Sequence, residues 1–381
     1  MIYLDNCATT KPRPEVVAAM TDCLTDYFAN PSSLHSFGLD VEKKINLARE
    51  QVAKAFHAKT GEVFFTSGGT ESSNIAIQGA IAKYKKRKKR MVTTVLEHSS
   101  ILNQYKHAGQ MGLDVVEVGV DSAGRVDREA LLEAVDDDTF LVSLFHVNNE
   151  LGSVNPVADL VAAIRKAHPS VFIHIDGVQA PGKVPVDFKA IGCDSYAISG
   201  HKFHGPKGVG VLLLREGITI EPLQWGGGQE KGMRSGTENV PGIVGLGVAA
   251  ELMAANFTAD QAHIQAVRDA FLEGIQSIED CRINSTAEGV ANIVNVSFLH
   301  TRGEVLLHSL ERDGIYISTA SACTSNGTGK SHVLEGIHMD RKYAEGTIRI
   351  CFCKDTTLED VRIFVEKLTT YVNEIREVMA R

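Results

Sequence analysis

The 381-residue chain lacks any apolar run approaching the roughly 18 residues that a membrane-spanning helix needs. Residues 1–11 also lack the basic and apolar segments of a secretion signal, so a cytoplasmic protein with no membrane attachment is expected. Positive charge is not in excess. There are 39 Lys and Arg against 47 Asp and Glu, a net charge of -8, which argues against a generic nucleic-acid binder and leaves small-molecule chemistry open. A disulfide framework is missing too: Cys7, Cys23, Cys193, Cys281, Cys323, Cys351 and Cys353 are odd in number and scattered. Cys351 and Cys353 form a Cys-x-Cys with no second such pair, so no four-ligand zinc site can be built and no metal is expected. No internal repeat occurs, and the only biased segment is the basic block 83–90.

What is present is an alternation of helix and strand signals from about residue 13 to residue 255, which predicts a mostly parallel sheet flanked by helices. Pro14 suits a first helical position, and Val16, Val17, Met20 and Leu24 make an apolar stripe at helical spacing. Val41, Ile45, Ala48, Val52 and Phe56 do the same for a second helix. Strands are predicted over 62–66, 92–96, 139–145, 171–175 and 209–214, and helices over 75–84, 157–168 and 240–253. Near residue 256 the pattern changes. Helices over 261–279, 304–312 and 358–379, with strands over 292–298, 315–318 and 347–352, predict a smaller α+β unit. The expected division is a large domain, 15–255, and a small one formed by 1–14 with 256–381.

Several strand ends carry chemistry. Ser67-Gly-Gly-Thr-Glu-Ser-Ser-Asn74, between a strand and a helix, is either an anion cradle of free N–H groups or a helix start with small residues for close packing. His98 follows the next strand, as a structural or an acid/base residue. Asn148 and Asn149 can bond a ligand's oxygens without adding charge. A further strand ends on Asp176, with Gln179 close behind, and another ends at Ser199-Gly-His-Lys202. A desolvated lysine loses basicity and becomes competent to form an imine. Segment 224–239 is a glycine-rich loop with anion-binding potential in Arg234, Ser235 and Thr237. The basic block is a solvated helix end or an RNA contact. Ligands bind beyond the carboxyl ends of strands in such sheets. This inventory of a lysine, a carboxylate for a pyridine nitrogen, an anion cradle and a ring for stacking is what pyridoxal 5'-phosphate requires.

With Tyr3-Leu-Asp-Asn-Cys-Ala-Thr-Thr10, His146-Val-Asn-Asn-Glu-Leu-Gly152, Gly232-Met-Arg-Ser-Gly-Thr237 and Ser321-Ala-Cys-Thr-Ser325 added, the chain resembles the NifS/IscS-like cysteine desulfurases of the class V aminotransferase group over nearly its whole length. The resemblance implies an α/β fold-type I transferase. It also implies Lys202 as the cofactor-bearing lysine, Asp176 on the pyridinium, Gln179 on the ring hydroxyl and His98 stacked on the ring. The phosphate would be held by Gly69, Thr70, Ser199 and His201, with Thr237 reaching in from the other subunit of a homodimer, and the substrate carboxylate by Asn149 and Arg349.

Cys323 separates this reaction from its relatives. It stands in a stretch of small polar residues and glycines that cannot pack, which predicts a mobile loop able to carry sulfur away as a persulfide. The implied activity removes sulfur from L-cysteine to give L-alanine and passes it to an acceptor protein, an Fe-S scaffold or a tRNA- or thiamine-thiolation enzyme. Two departures from the common pattern are Cys7, where Ser or Ala is usual, and Asn326-Gly-Thr-Gly-Lys330, which bears on the acceptor rather than the chemistry. The alternatives are a selenocysteine lyase or transaminase on the same fold, and a catalytically silent scaffold or RNA-binding module using 83–90.

Overall fold

The computed structural model describes residues 1–319 and 331–380, so Cys323 lies outside the described residues. Thirteen strands occur among the described residues: β1 (Ile2–Tyr3), β2 (Val63–Thr66), β3 (Arg90–Thr94), β4 (Asp114–Val118), β5 (Thr139–Phe145), β6 (Phe172–Asp176), β7 (Ser195–Ser199), β8 (Gly210–Leu214), β9 (Cys281–Ile283), β10 (Ile293–Phe298), β11 (Ile315–Tyr316), β12 (Ser318–Thr319) and β13 (Thr347–Cys351). Strands β2 to β8 form one sheet in the order β2-β8-β7-β6-β5-β3-β4. Only β8 runs against the others, giving the mostly parallel α/β sheet that the alternation predicts.

Alternate residues of these strands feed two apolar cores, because successive side chains point to opposite faces. Phe64, Met91, Leu141 and Leu212 join Ile75, Ile77 and Ile101 from the helices Gly69–Tyr84 and Ser99–Gln110. Phe65, Val92, Val142 and Val211 join Val16, Val41 and Leu160 from Pro14–Thr25, Ser36–Ala55 and Val157–Ala167. With helices on both faces, β5 to β8 are buried at every residue. A second, antiparallel sheet has the order β12-β13-β10-β9. Its core unites Val294 and Ile350 with Leu306, Phe364 and the N-terminal Ile2 and Leu4. β1 lies parallel to β11, which ties the start of the chain to this part.

Two expectations are corrected. The helices over 240–253 and 261–279 are one helix, Val240–Gly274, since no Pro or Gly falls between Met253 and Gln261 to break it. That helix is long and apolar enough to cross a membrane by composition alone, but half of its most apolar window is buried inside the protein. The strand over 315–318 is two short strands in different sheets, β11 on β1 and β12 on β13. The basic block begins at a helix end as expected, with Lys83 in the last turn of Gly69–Tyr84, and at its other end Arg90 opens β3 paired to Asp114 and Asp136.

The long helix approaches Ser36–Ala55 closely. A Cβ on Gly247 would lie 2.7 Å from Ala48 Cα and 2.8 Å from its Cβ. Gly247→Val is expected to cost about 1–3 kcal/mol by overpacking, read as a lower urea midpoint at unchanged slope.

Candidate active site

The carboxyl ends of β3, β5, β6 and β7 converge on a cavity of about 500 Å³. Ten of the residues named from the sequence line it: Gly69, Thr70, His98, Asn149, Asp176, Gln179, Ser199, His201, Lys202 and Arg349. Thr237 is exposed on its loop and does not line this cavity. Arg234, from the same loop, is paired with Glu71 at 3.1 Å.

Lys202 follows β7 in a single helical turn, Gly200–Lys202. Its Nζ donates to the backbone carbonyls of Cys7 at 2.5 Å and Ala8 at 3.0 Å. Burial lowers its pKa to about 8, with the positive charges of Lys183 and Arg349 adding to the effect. The N-terminal segment that supplies these carbonyls is bound across the site. Thr10 Oγ1 donates to the His201 carbonyl at 2.9 Å, and Gln179 Nε2 donates to Cys7 O at 3.0 Å.

Asp176 ends β6 in full burial, which pushes its carboxyl up, while His98, the Val178 N–H and Lys202 pull it back. His98 caps the helix Ser99–Gln110. Its Nδ1 accepts from the Ser100 N–H at 3.1 Å, so the neutral ring carries its proton on Nε2. The ring is open to the cavity yet deep enough that desolvation lowers its pKa. His201 is likewise lowered to about 4, first by burial and then by Lys202, and is neutral. Arg349 is nearly fully buried on β13, with Nη1 on the Asn149 carbonyl at 3.0 Å and Nη2 on Asp5 Oδ1 at 2.8 Å.

The two asparagines separate. Both line the cavity, but Asn148 Oδ1 accepts from the N–H groups of Glu150 and Leu151, both at 2.9 Å, which spends its amide oxygen on the turn. Asp5, the holder of Arg349, was not singled out from the sequence, although it stands inside the N-terminal motif. The same is true of the carbonyls of Cys7 and Ala8, because a backbone acceptor leaves no mark in side-chain chemistry.

The cavity fits pyridoxal phosphate. Asp176 is a buried carboxylate that a cationic ring nitrogen would satisfy. Gln179 Oε1 is buried without a partner, an acceptor for a hydroxyl. Gly69 opens the helix Gly69–Tyr84, where free N–H groups suit a phosphate. A Cβ there would come within 2.3 Å of Val178 Cγ2, so glycine is required.

Fold and site together define an α/β enzyme of the pyridoxal phosphate class, and the chain belongs to the aminotransferase class-V family, which it matches over residues 2–364. Cysteine desulfurase IscS of Methanosarcina thermophila is 40% identical over 378 residues, covering 99% of this chain and 93% of the relative. Among solved structures, a NifS-like protein superposes with TM-score 0.93 at 38% identity, covering 98% of this chain and 99% of the other. SspA in complex with cysteine superposes with TM-score 0.83 at 32% identity, covering 94% and 100%.

With no group attached, the Lys202 amine is expected to titrate near 8 rather than in the usual lysine range. Lys183→Met should raise that value, since it removes a like charge. The pH dependence of Lys202 acetylation, followed by peptide mass spectrometry, measures both.

Proposed function

We propose that this chain is a pyridoxal-phosphate-dependent cysteine desulfurase that takes sulfur from L-cysteine, leaves L-alanine and passes the sulfur to an acceptor protein. One observation carries the reading: a weakly basic buried lysine, a buried carboxylate and an oriented guanidinium share a single cavity. The chain also aligns end to end with named cysteine desulfurases.

When bound, the cofactor supplies a carbonyl for Lys202 and an electron sink for the substrate's α-carbon. Asp176 would hold the ring nitrogen's charge and Gln179 the ring hydroxyl. Gly69, Thr70, Ser199 and His201 would hold the phosphate, and His98 would cover the ring. Arg349 would turn its fork to the substrate carboxylate, with Asn149 beside it. A Lys202 amine of pKa about 8 is partly unprotonated near neutral pH and can take the α-proton. His98 holds a transferable proton at Nε2. The sulfur-accepting thiolate is assigned to Cys323, outside the described residues. Its attack on the substrate sulfur forms an S–S bond as the carbon–sulfur bond breaks, leaving a Cys323 persulfide and a three-carbon fragment that keeps the electron pair and takes a proton to become alanine.

The reading includes a cytoplasmic homodimer. Phe28 and Trp225, exposed at 71% and 77%, are apolar side chains that such an interface could cover. A partner's Thr237, exposed on each chain, would complete the phosphate site. The acceptor is an Fe-S scaffold or a thiolation enzyme.

Lys202→Ala should abolish the visible absorbance of the bound cofactor, and a surviving band would overturn the assignment. Cys323→Ala should keep that band and lose persulfide and alanine formation from cysteine. Arg349→Ala should raise KM for cysteine about 10- to 100-fold through the lost charged hydrogen bonds. Trp225→Asp should shift the sedimentation coefficient from dimer to monomer, and an unchanged dimer would place the interface elsewhere.

A further inference from the structure

Behind Lys202 lies a group of side chains that the proposed reaction does not use. Cys7 and Cys351 are both buried in one apolar core cluster, and each thiol shifts the titration of the other. Backbone contacts hold the two segments together. The Cys351 N–H donates to Leu4 O at 2.7 Å, and Asn6 Nδ2 donates to Cys351 O at 2.8 Å. Lys183 faces both sulfurs, is only 9% exposed, and has no carboxylate or hydrogen-bond partner among the described residues.

A buried ammonium without a counter-ion is costly. Burial lowers the Lys183 amine, and the two sulfurs draw it back up. Burial pushes the Cys7 thiol up in turn, but the neighbouring Cys351 and the charges of Lys183, Arg349 and Lys202 outweigh it and bring Cys7 to about 7. Cys351 is pushed well up, by burial first and then by Cys7. Cys7 is also reachable. It lines the main cavity and, on its other side, a small recess shared with Lys183, Asn292 and Cys353. Cys351 lines neither, so Cys7 is the sulfur a reagent meets first and Cys351 the thiol behind it.

We propose that Cys7 and Cys351 form a dithiol modification site that small disulfides oxidise to an internal disulfide beneath Lys202. The Cys7 thiolate attacks one sulfur of the reagent RS–SR, whose S–S bond breaks, and RS⁻ leaves. The Cys351 sulfur then attacks Cys7 Sγ. The Cys7–Cys351 bond forms, and the second RS⁻ leaves with the Cys351 proton. The two protein thiols lose two electrons, and the reagent gains them as two thiols. The site connects to the lysine directly, since Cys7 O accepts from Lys202 Nζ and from Gln179 Nε2. Oxidation also removes the Cys7 negative charge, which supports the basicity of Lys202.

The inference goes beyond the proposed function and does not need it, because the linkage is read as a covalent bond whatever the enzyme turns over. The full-length protein with its cofactor is incubated with bis(2-hydroxyethyl) disulfide, which carries no amine for the Lys202 site. Remaining thiols are alkylated, and peptides are mapped without reduction. The expected result is a peptide linking Cys7 to Cys351, loss of both from alkylation, and their return with dithiothreitol. Cys351→Ala should leave Cys7 carrying a stable mixed disulfide, and Cys7→Ala should leave Cys351 unmodified. In the oxidised protein stripped of its cofactor, acetylation of Lys202 should shift to lower pH. Cys7 and Cys351 both remaining alkylatable, or Cys351 being modified in Cys7→Ala, would overturn the proposal.

Discussion

The amine of Lys202 is held inside the protein by two backbone carbonyls, those of Cys7 and Ala8. A carbonyl bonds the amine without adding the full negative charge that would keep it protonated. Burial and the neighbouring Lys183 and Arg349 therefore set its basicity, and the amine falls to about 8. This constraint exists only because residues 3–10 cross the mouth of β7. Thr10 is tied to the His201 carbonyl through both its N–H and its hydroxyl, each at 2.9 Å.

The same N-terminal segment joins the two sheets. β1 pairs with β11, the Cys351 N–H reaches Leu4 O, and Asp5 grips Arg349 on β13. The guanidinium of the smaller sheet and the lysine of the larger one are thus referred to one strap of chain. The helix Val240–Gly274 makes a second connection. Ile243 and Leu246 lie in the core under the large sheet, and Ile264, Val267 and Phe271 lie in the core under the small one. A pocket built from both parts keeps its dimensions only if such members resist relative movement. The close seat of Gly247 on Ala48 anchors one end of that helix.

Much of this was legible in the sequence. Runs such as Thr139–Phe145 read as buried strands because a doubly covered strand needs apolar residues on both faces. Their ends are where a parallel sheet places ligands, so Asp176, Ser199 and Lys202 could be named together from their order alone. The errors share one origin. Asn256, Thr258 and Asp260 interrupt the apolar run and look like a boundary, yet residues 254–260 contain nothing that breaks a helix. Residues 315–319 have strand-like composition, but composition does not say that Ile315 and Ser318 join different sheets. Asn148 and Asn149 are identical in type, and only the local turn decides which amide is spent on the backbone.

The sequence by itself determined the order of strands and helices, the inventory of reactive side chains and the positions of the glycines that permit close approach. These follow from local periodicity and residue chemistry. Tertiary structure decided which atoms meet: Lys202 with a carbonyl 195 residues away, and Arg349 with a carboxylate 344 residues away. No local propensity encodes such contacts. The lowered basicity of Lys202, the raised carboxyl of Asp176 and the thiol pair beside Lys183 exist only once burial has removed water and brought distant charges together.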